Sequence, residues 1–225
     1  MRSSYLKIKL KPYFKLIKYN FKRLLFFIGK LLFFSLHKII YFINNLFSFI
    51  YSGWVSSSLS QLGVNPRISY PCNILGGNNI KVGNNVYIGK RLRIETFEVY
   101  QNIKLSPMLI IGNNVGINDD CHLACIHSIE IGDNVLIASK VFISDHSHGK
   151  ISLDDLLLPP TERLLTSKGK IVIEPNVWIG EGVVILSGVR IGRGSVIGAN
   201  SVVIKDIPPF SVAVGSPARV IKTIN

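Results

Sequence analysis

The segment Asp145-His146-Ser147-His148 places one carboxylate and two imidazoles within four consecutive residues. Imidazole titrates close to neutrality, so such a side chain can take the proton from a hydroxyl that is too weak a nucleophile to react alone. Asp145 is placed to orient either ring and fix its tautomer, although a backbone carbonyl can do the same. If the segment is extended, His146 and His148 face the same side, so alternation leaves both as candidate bases. A second cluster, Cys121-His122-Leu123-Ala124-Cys125-Ile126-His127, raises a metal question. A catalytic zinc would need a third histidine from earlier in the chain, and none lies between His37 and His122. Burial of Cys121 as a small apolar residue is the simpler account, and no metal is expected. Cys72, Cys121 and Cys125 form an odd set without a CxxC pair, which points to a reducing compartment.

The elements that must hold these groups are written in a period of six. Aliphatic residues recur at Ile173, Ile179, Ile185, Ile191, Ile197 and Val203, and Val177, Val183 and Val189 fill the fifth place of their hexads. The same phase runs through Val82-Gly83-Asn84-Asn85-Val86, Ile111-Gly112-Asn113-Asn114-Val115 and Ile131-Gly132-Asp133-Asn134-Val135. A helix would return apolar residues every 3.6 positions and a simple strand every 2, so neither accounts for this spacing. A period of six with Gly or Asn at the corners predicts a β-solenoid, one short strand and one tight corner per hexad, with aliphatic side chains stacked inward. The repeat breaks between Ile143 and Ile171, and the Asp-His-Ser-His segment opens that gap. An excursion from a rigid scaffold is where a substrate can be engaged.

The hexads, with Asn176-Val177-Trp178-Ile179-Gly180, Ile197-Gly198-Ala199-Asn200-Ser201-Val202-Val203 and Gly215-Ser216-Pro217-Ala218-Arg219-Val220-Ile221, resemble the hexapeptide-repeat acyltransferases. Within that family they are most similar to the maltose, galactoside and polysaccharide O-acetyltransferases. The resemblance covers residues 70–225. It implies a mainly β fold, a left-handed parallel β-helix, assembled as a homotrimer with acetyl-CoA between neighbouring subunits. It also implies site residues. The family's catalytic histidine falls on His148, with His146 as the alternative, and Asn118 falls where the family holds the acceptor or its developing oxyanion. Asp145 and Trp178 are expected at the acceptor pocket. Ala199, Ile204, Lys205, Arg219 and Lys222 match positions that meet CoA, where backbone groups can bind pantetheine amides and cations can pair with phosphates. The spacing of His122 and His127 also resembles the γ-class carbonic anhydrases, zinc enzymes on the same solenoid, but the missing third histidine argues against them.

Composition separates the two ends of the chain. Of the 26 Lys and Arg among 225 residues, 15 precede Glu95, whereas all 13 Asp and Glu lie at or beyond it. Residues 1–50 alternate cations with Leu, Ile, Phe and Tyr, a mixture that suits helices lying at a membrane surface with cations on anionic headgroups. Helices packed on the body or on a sister subunit are the alternative. The longest uncharged apolar candidate for a span, Ile39 to Val55, is interrupted by Asn44, Asn45, Ser48, Ser52 and Gly53 and makes a poor one. The apolar content exceeds what a nucleic-acid groove needs, and no secretory cleavage pattern follows the apolar run.

The expected organisation is therefore a basic, apolar, helical, membrane-interfacial segment over residues 1–60 and a β-helix over 61–225, with an excursion at 144–170 and a tail at 208–225. The expected function is transfer of an acetyl group from acetyl-CoA to a sugar hydroxyl of a surface polysaccharide or its lipid-linked precursor, at the inner face of the cell membrane. A small soluble sugar or nucleotide-linked amino sugar is the alternative acceptor, and a non-enzymatic solenoid scaffold the alternative class.

Overall fold

The computed structural model describes the backbone of residues 2–224 and the side chains of residues 15–34 and 36–224. It divides into two compact units, Met1–Phe47 and Ser48–Asn225. The first is helical, within a helix assigned from Arg2 to Ser56. Its described side chains leave Phe26, Phe27, Phe33, Phe34 and Phe42 exposed among the cations, with Arg23 lying over the Tyr19 ring and Lys30 over the Phe26 ring. Among the described residues, no single helix is long and apolar enough to cross a membrane.

In the second unit the chain visits three parallel sheets in strict rotation. One circuit runs from Met108–Ile111 in the first sheet to Gly116–Ile117 in the second and His122–Cys125 in the third. The next repeats it with Ser128–Ile131, Leu136–Ile137 and Phe142–Ser144. The strands of these circuits pair in parallel and in register with their equivalents one circuit away, as Ile117 does with Ile88 and Ile137. The hexad residues therefore form three aliphatic ladders. In the second sheet Ile68, Ile88, Ile117, Ile137, Ile179 and Ile197 stack with at most 2% exposure. A fold with no wide layer interior can exclude water only along such ladders, which is why the inward position admits so little but Ile, Leu and Val.

The corners explain the fourth place of each hexad. Asn85, Asn114, Asn134, Asn176 and Asn200 all have φ between 54° and 62°, the left-handed region that Asn tolerates better than most residues. Asn side chains also bond from circuit to circuit, Asn85 to Asn114 at 3.0 Å and Asn114 to Asn134 at 3.1 Å. Lys140 adopts the same conformation at φ 61° without that advantage. Close stacking imposes a separate demand at Gly180, where an added Cβ would lie 2.7 Å from the Ala199 nitrogen.

The first strand is Gln61–Leu62, and the compact unit that holds it begins at Ser48, because the last turns of the helix close the end of the coil. Tyr51 and Val55 are buried there, and Ser52 Oγ accepts the Ile68 backbone N–H at 2.8 Å. The tail expected from 208 is partly coil. Ser211–Val214 extends the second sheet in parallel with Val196–Ile197, and Arg219–Thr223 then folds back on it antiparallel.

Candidate active site

The excursion leaves the third sheet after Ser144 and rejoins the first at Ile171. It is braced by a short antiparallel pair, Ser147 opposite Thr166 and His148 opposite Leu165, and by a helix, Leu153–Leu157, whose Ser152 cap accepts the Asp155 N–H. Gly149 donates to Leu164 O at 2.8 Å and Thr166 Oγ1 donates back to Gly149 O at 2.8 Å. His148 thus stands on a hydrogen-bonded hairpin.

Burial separates the two imidazoles that alternation could not. His148 is exposed, whereas the His146 side chain is only 10% exposed. The cause is Asp145, which is fully buried and accepts four hydrogen bonds. Its Oδ1 takes the Ile126 N–H at 2.9 Å and faces His146 Nδ1 at 3.0 Å, while Oδ2 takes the His127 N–H at 2.8 Å and the Cys125 thiol at 3.4 Å. Burial alone would raise the Asp145 pKa, but the imidazole and the two backbone donors outweigh it and hold the carboxyl below its usual range. Burial and the same carboxylate push the Cys125 thiol well above its ordinary value. Asp145, expected at the wall of the acceptor pocket, is fully buried, and the ring it contacts is His146.

A second excursion was not legible in the repeat. Between Thr96 and Met108 the chain forms a hairpin, Val99–Tyr100 with Ile103–Lys104, whose turn residues Gln101 and Asn102 both have positive φ, the signature of a tight hairpin turn. It leaves the same edge of the coil as the histidine-bearing excursion and meets it. Phe97 packs edge-on to His146 at 5.8 Å between centroids. The Tyr100 hydroxyl lies 3.3 Å from His148 Nδ1 and 3.3 Å from Thr161 O, and Gln101 Nε2 donates to the same carbonyl at 2.7 Å. The available signal was spacing: equivalent asparagines stand 20 residues apart from 114 to 134 but 29 apart from 85 to 114.

The other expected site residues are distributed over the coil. Asn118 follows the strand Gly116–Ile117 and is anchored by its N–H to Ile137 O at 2.9 Å; among the described hydrogen bonds its side chain reaches neither imidazole. Trp178 is 52% exposed on the outer face of the second sheet, in register with Leu136. Ala199, Ile204 and Lys205 lie exposed on the last circuit, and Arg219 and Lys222 on the terminal antiparallel strand. The zinc alternative finds no support in the donor geometry. His122 Nε2 is 3.1 Å from Glu95 Oε2, His127 is exposed, and among the described residues no group of three or more His, Cys, Asp or Glu could hold a metal ion. Cys121 is buried, which raises its thiol to about 11.

Comparison with known proteins agrees with this architecture. Residues 170–205 match the family model described as bacterial transferase hexapeptide (six repeats). The chain is 41% identical over 162 residues to WbbJ of Escherichia coli K12, provisionally named a lipopolysaccharide biosynthesis O-acetyl transferase, covering 70% of this chain and 79% of WbbJ. The crystal structure of a maltose O-acetyltransferase from Clostridium difficile 630 superposes with a TM-score of 0.53 at 32% identity, covering 76% of this chain and 73% of that one. A mutant of AntD, an N-acyltransferase from Bacillus cereus in complex with dTDP-4-amino-4,6-dideoxyglucose and coenzyme A, shares the fold with a TM-score of 0.63 at 23% identity, over 77% of this chain and 89% of AntD.

Proposed function

The chain belongs to the hexapeptide-repeat acyltransferases and is an acetyl-CoA-dependent O-acetyltransferase; we propose that its acceptor is a sugar hydroxyl of a cell-surface polysaccharide, such as O-antigen, capsule or exopolysaccharide, or of its lipid-linked precursor. The observation that carries the site is the exposed His148, held where the two excursions meet. On this reading His148 removes the acceptor proton as the oxygen attacks the thioester carbonyl. The O–C bond forms, the C–S bond breaks, and the imidazolium returns its proton to the thiolate of CoA. Asn118 holds the acceptor or the oxyanion, Trp178 lines the pocket, and Ala199, Ile204, Lys205, Arg219 and Lys222 receive CoA. No covalent enzyme intermediate is required.

The three-sheet coil is on this reading a closed left-handed solenoid, and three copies assemble. The apolar outer stripe of Tyr87, Leu136 and Trp178, which share one register on the second sheet, supports a subunit contact. Exposed Phe and Leu interleaved with Lys and Arg on the N-terminal helix support contact with an anionic membrane at its cytoplasmic face, where a lipid-linked acceptor would be met at raised local concentration.

The test is mass spectrometry of surface polysaccharide from cells with the gene intact, deleted, or carrying His148→Ala. Loss of an O-acetyl mark in the last two supports the proposal; unchanged polysaccharide with transfer to free or nucleotide-linked sugars by purified enzyme would replace it with the soluble-acceptor reading. Removal of residues 1–50 should release the protein from the membrane fraction, and unchanged fractionation would dismiss the membrane assignment.

A further inference from the structure

The base just assigned to His148 needs a bare ring nitrogen facing the acceptor, and neutral imidazole offers one nitrogen as donor and the other as acceptor. Which is which depends on what the second nitrogen touches. His148 Nδ1 lies 3.3 Å from the Tyr100 hydroxyl, which also lies 3.3 Å from the backbone carbonyl of Thr161. A phenol has one proton to give, and a carbonyl can only accept. The hydroxyl donates to Thr161 O, which also accepts the Gln101 amide at 2.7 Å. The phenol oxygen is then left facing Nδ1 as an acceptor.

We propose that Tyr100 is a positioning residue: its oxygen accepts from His148 Nδ1–H, fixes the ring, and leaves Nε2 bare to take the proton of the acceptor hydroxyl. The inference rests on the assignment of His148 as base. It gives the hairpin between Thr96 and Met108 a task, since Gln101 and Tyr100 clasp the histidine-bearing excursion through one carbonyl while Tyr100 also sets the ring. Because Nδ1–H persists in the imidazolium, the same contact favours the protonated ring formed during transfer. Removing it should make the base weaker.

The experiment uses the full chain labelled with ¹⁵N-histidine, the His148 signals being those missing from His148→Ala. At a pH where the ring is neutral, the wild type should show a protonated Nδ1 and an unprotonated Nε2, and Tyr100→Phe should shift the population towards the opposite tautomer. In acetyl-transfer assays Tyr100→Phe should lower kcat about three- to tenfold and leave KM for acetyl-CoA unchanged. Gln101→Ala loosens the same clasp but keeps the phenol, so its tautomer should stay that of the wild type. A wild-type ring protonated on Nε2, a Tyr100→Phe tautomer unchanged from wild type, or an equal tautomer change in Gln101→Ala would each overturn the proposal. The tautomer reading needs no acceptor, so it is separate from the base assignment, which falls if His148→Ala keeps full activity.

Discussion

Asp145 Oδ1 lies 3.0 Å from His146 Nδ1, and the carboxylate reaches no solvent at all. The pair makes the first residues of the excursion part of the core, although by sequence they belong to a loop. Asp145 reaches back to the preceding circuit, taking the N–H groups of Ile126 and His127. The start of the excursion is thereby tied to the coil, and His148, two residues beyond His146, leaves from a fixed point.

That contact has a pH dependence with a definite sign. The folded pKa of Asp145 lies below its unfolded value near 3.9, so its contribution is complete above that value and is lost as pH falls through the folded pKa. Urea melts between pH 7 and pH 3 should show stability falling in the acid range. Asp145→Asn presents an amide NH₂ where a backbone N–H now donates, which should cost about 2–4 kcal/mol at neutral pH and flatten the acid dependence.

The two histidines should separate by assay. His148→Ala should lower kcat for acetyl transfer by about 10²–10⁴-fold with little change in melting temperature, because the ring is exposed. His146→Ala removes a partner from a buried carboxylate and should lower stability by about 1–3 kcal/mol. If His146→Ala abolishes turnover at unchanged stability, the roles are exchanged.

The aliphatic ladder predicts a large local penalty. Ile179 is fully buried between Ile137 and Ile197, and a rigid stack cannot collapse around a void. Ile179→Ala should destabilise by about 2–5 kcal/mol, measured by denaturant unfolding.

One corner is open to improvement. Lys140 sits at φ 61°, where Asn134 and Asn200 occupy equivalent turns, and its ion pair with Glu181 at 3.2 Å is solvent-exposed. Lys140→Asn should stabilise by about 0.5–1 kcal/mol, with the lost surface pair a minor offset. A fall in melting temperature would mean that the ion pair outweighs the backbone strain.

The coil was readable in the sequence because its inward positions have almost no freedom. Ile173, Ile179 and Ile185 fall on the first, second and third sheets in turn, and the next three starters repeat the round. The gap that carries His146 and His148 was visible for the same reason, as a failure of the period. The hairpin between Thr96 and Met108 was hidden because its turn is Gln101-Asn102 and lacks the glycine that usually announces such a reversal. The difference in burial between His146 and His148 was equally hidden, since Asp145 is held by backbone donors 19 and 18 residues earlier. The helix end that caps the coil was missed because Tyr51 and Ser52 look like further members of an amphipathic run until their partners, Cys72 and Ile68, are known.

Both excursions emerge where the third sheet hands the chain to the first, with two circuits of the coil between them. Insertions at that seam leave every rung of the ladder in place, so the molecule separates what must be inherited unchanged from what is free to vary. Surface segments can be lengthened or exchanged there with no renegotiation of the stack.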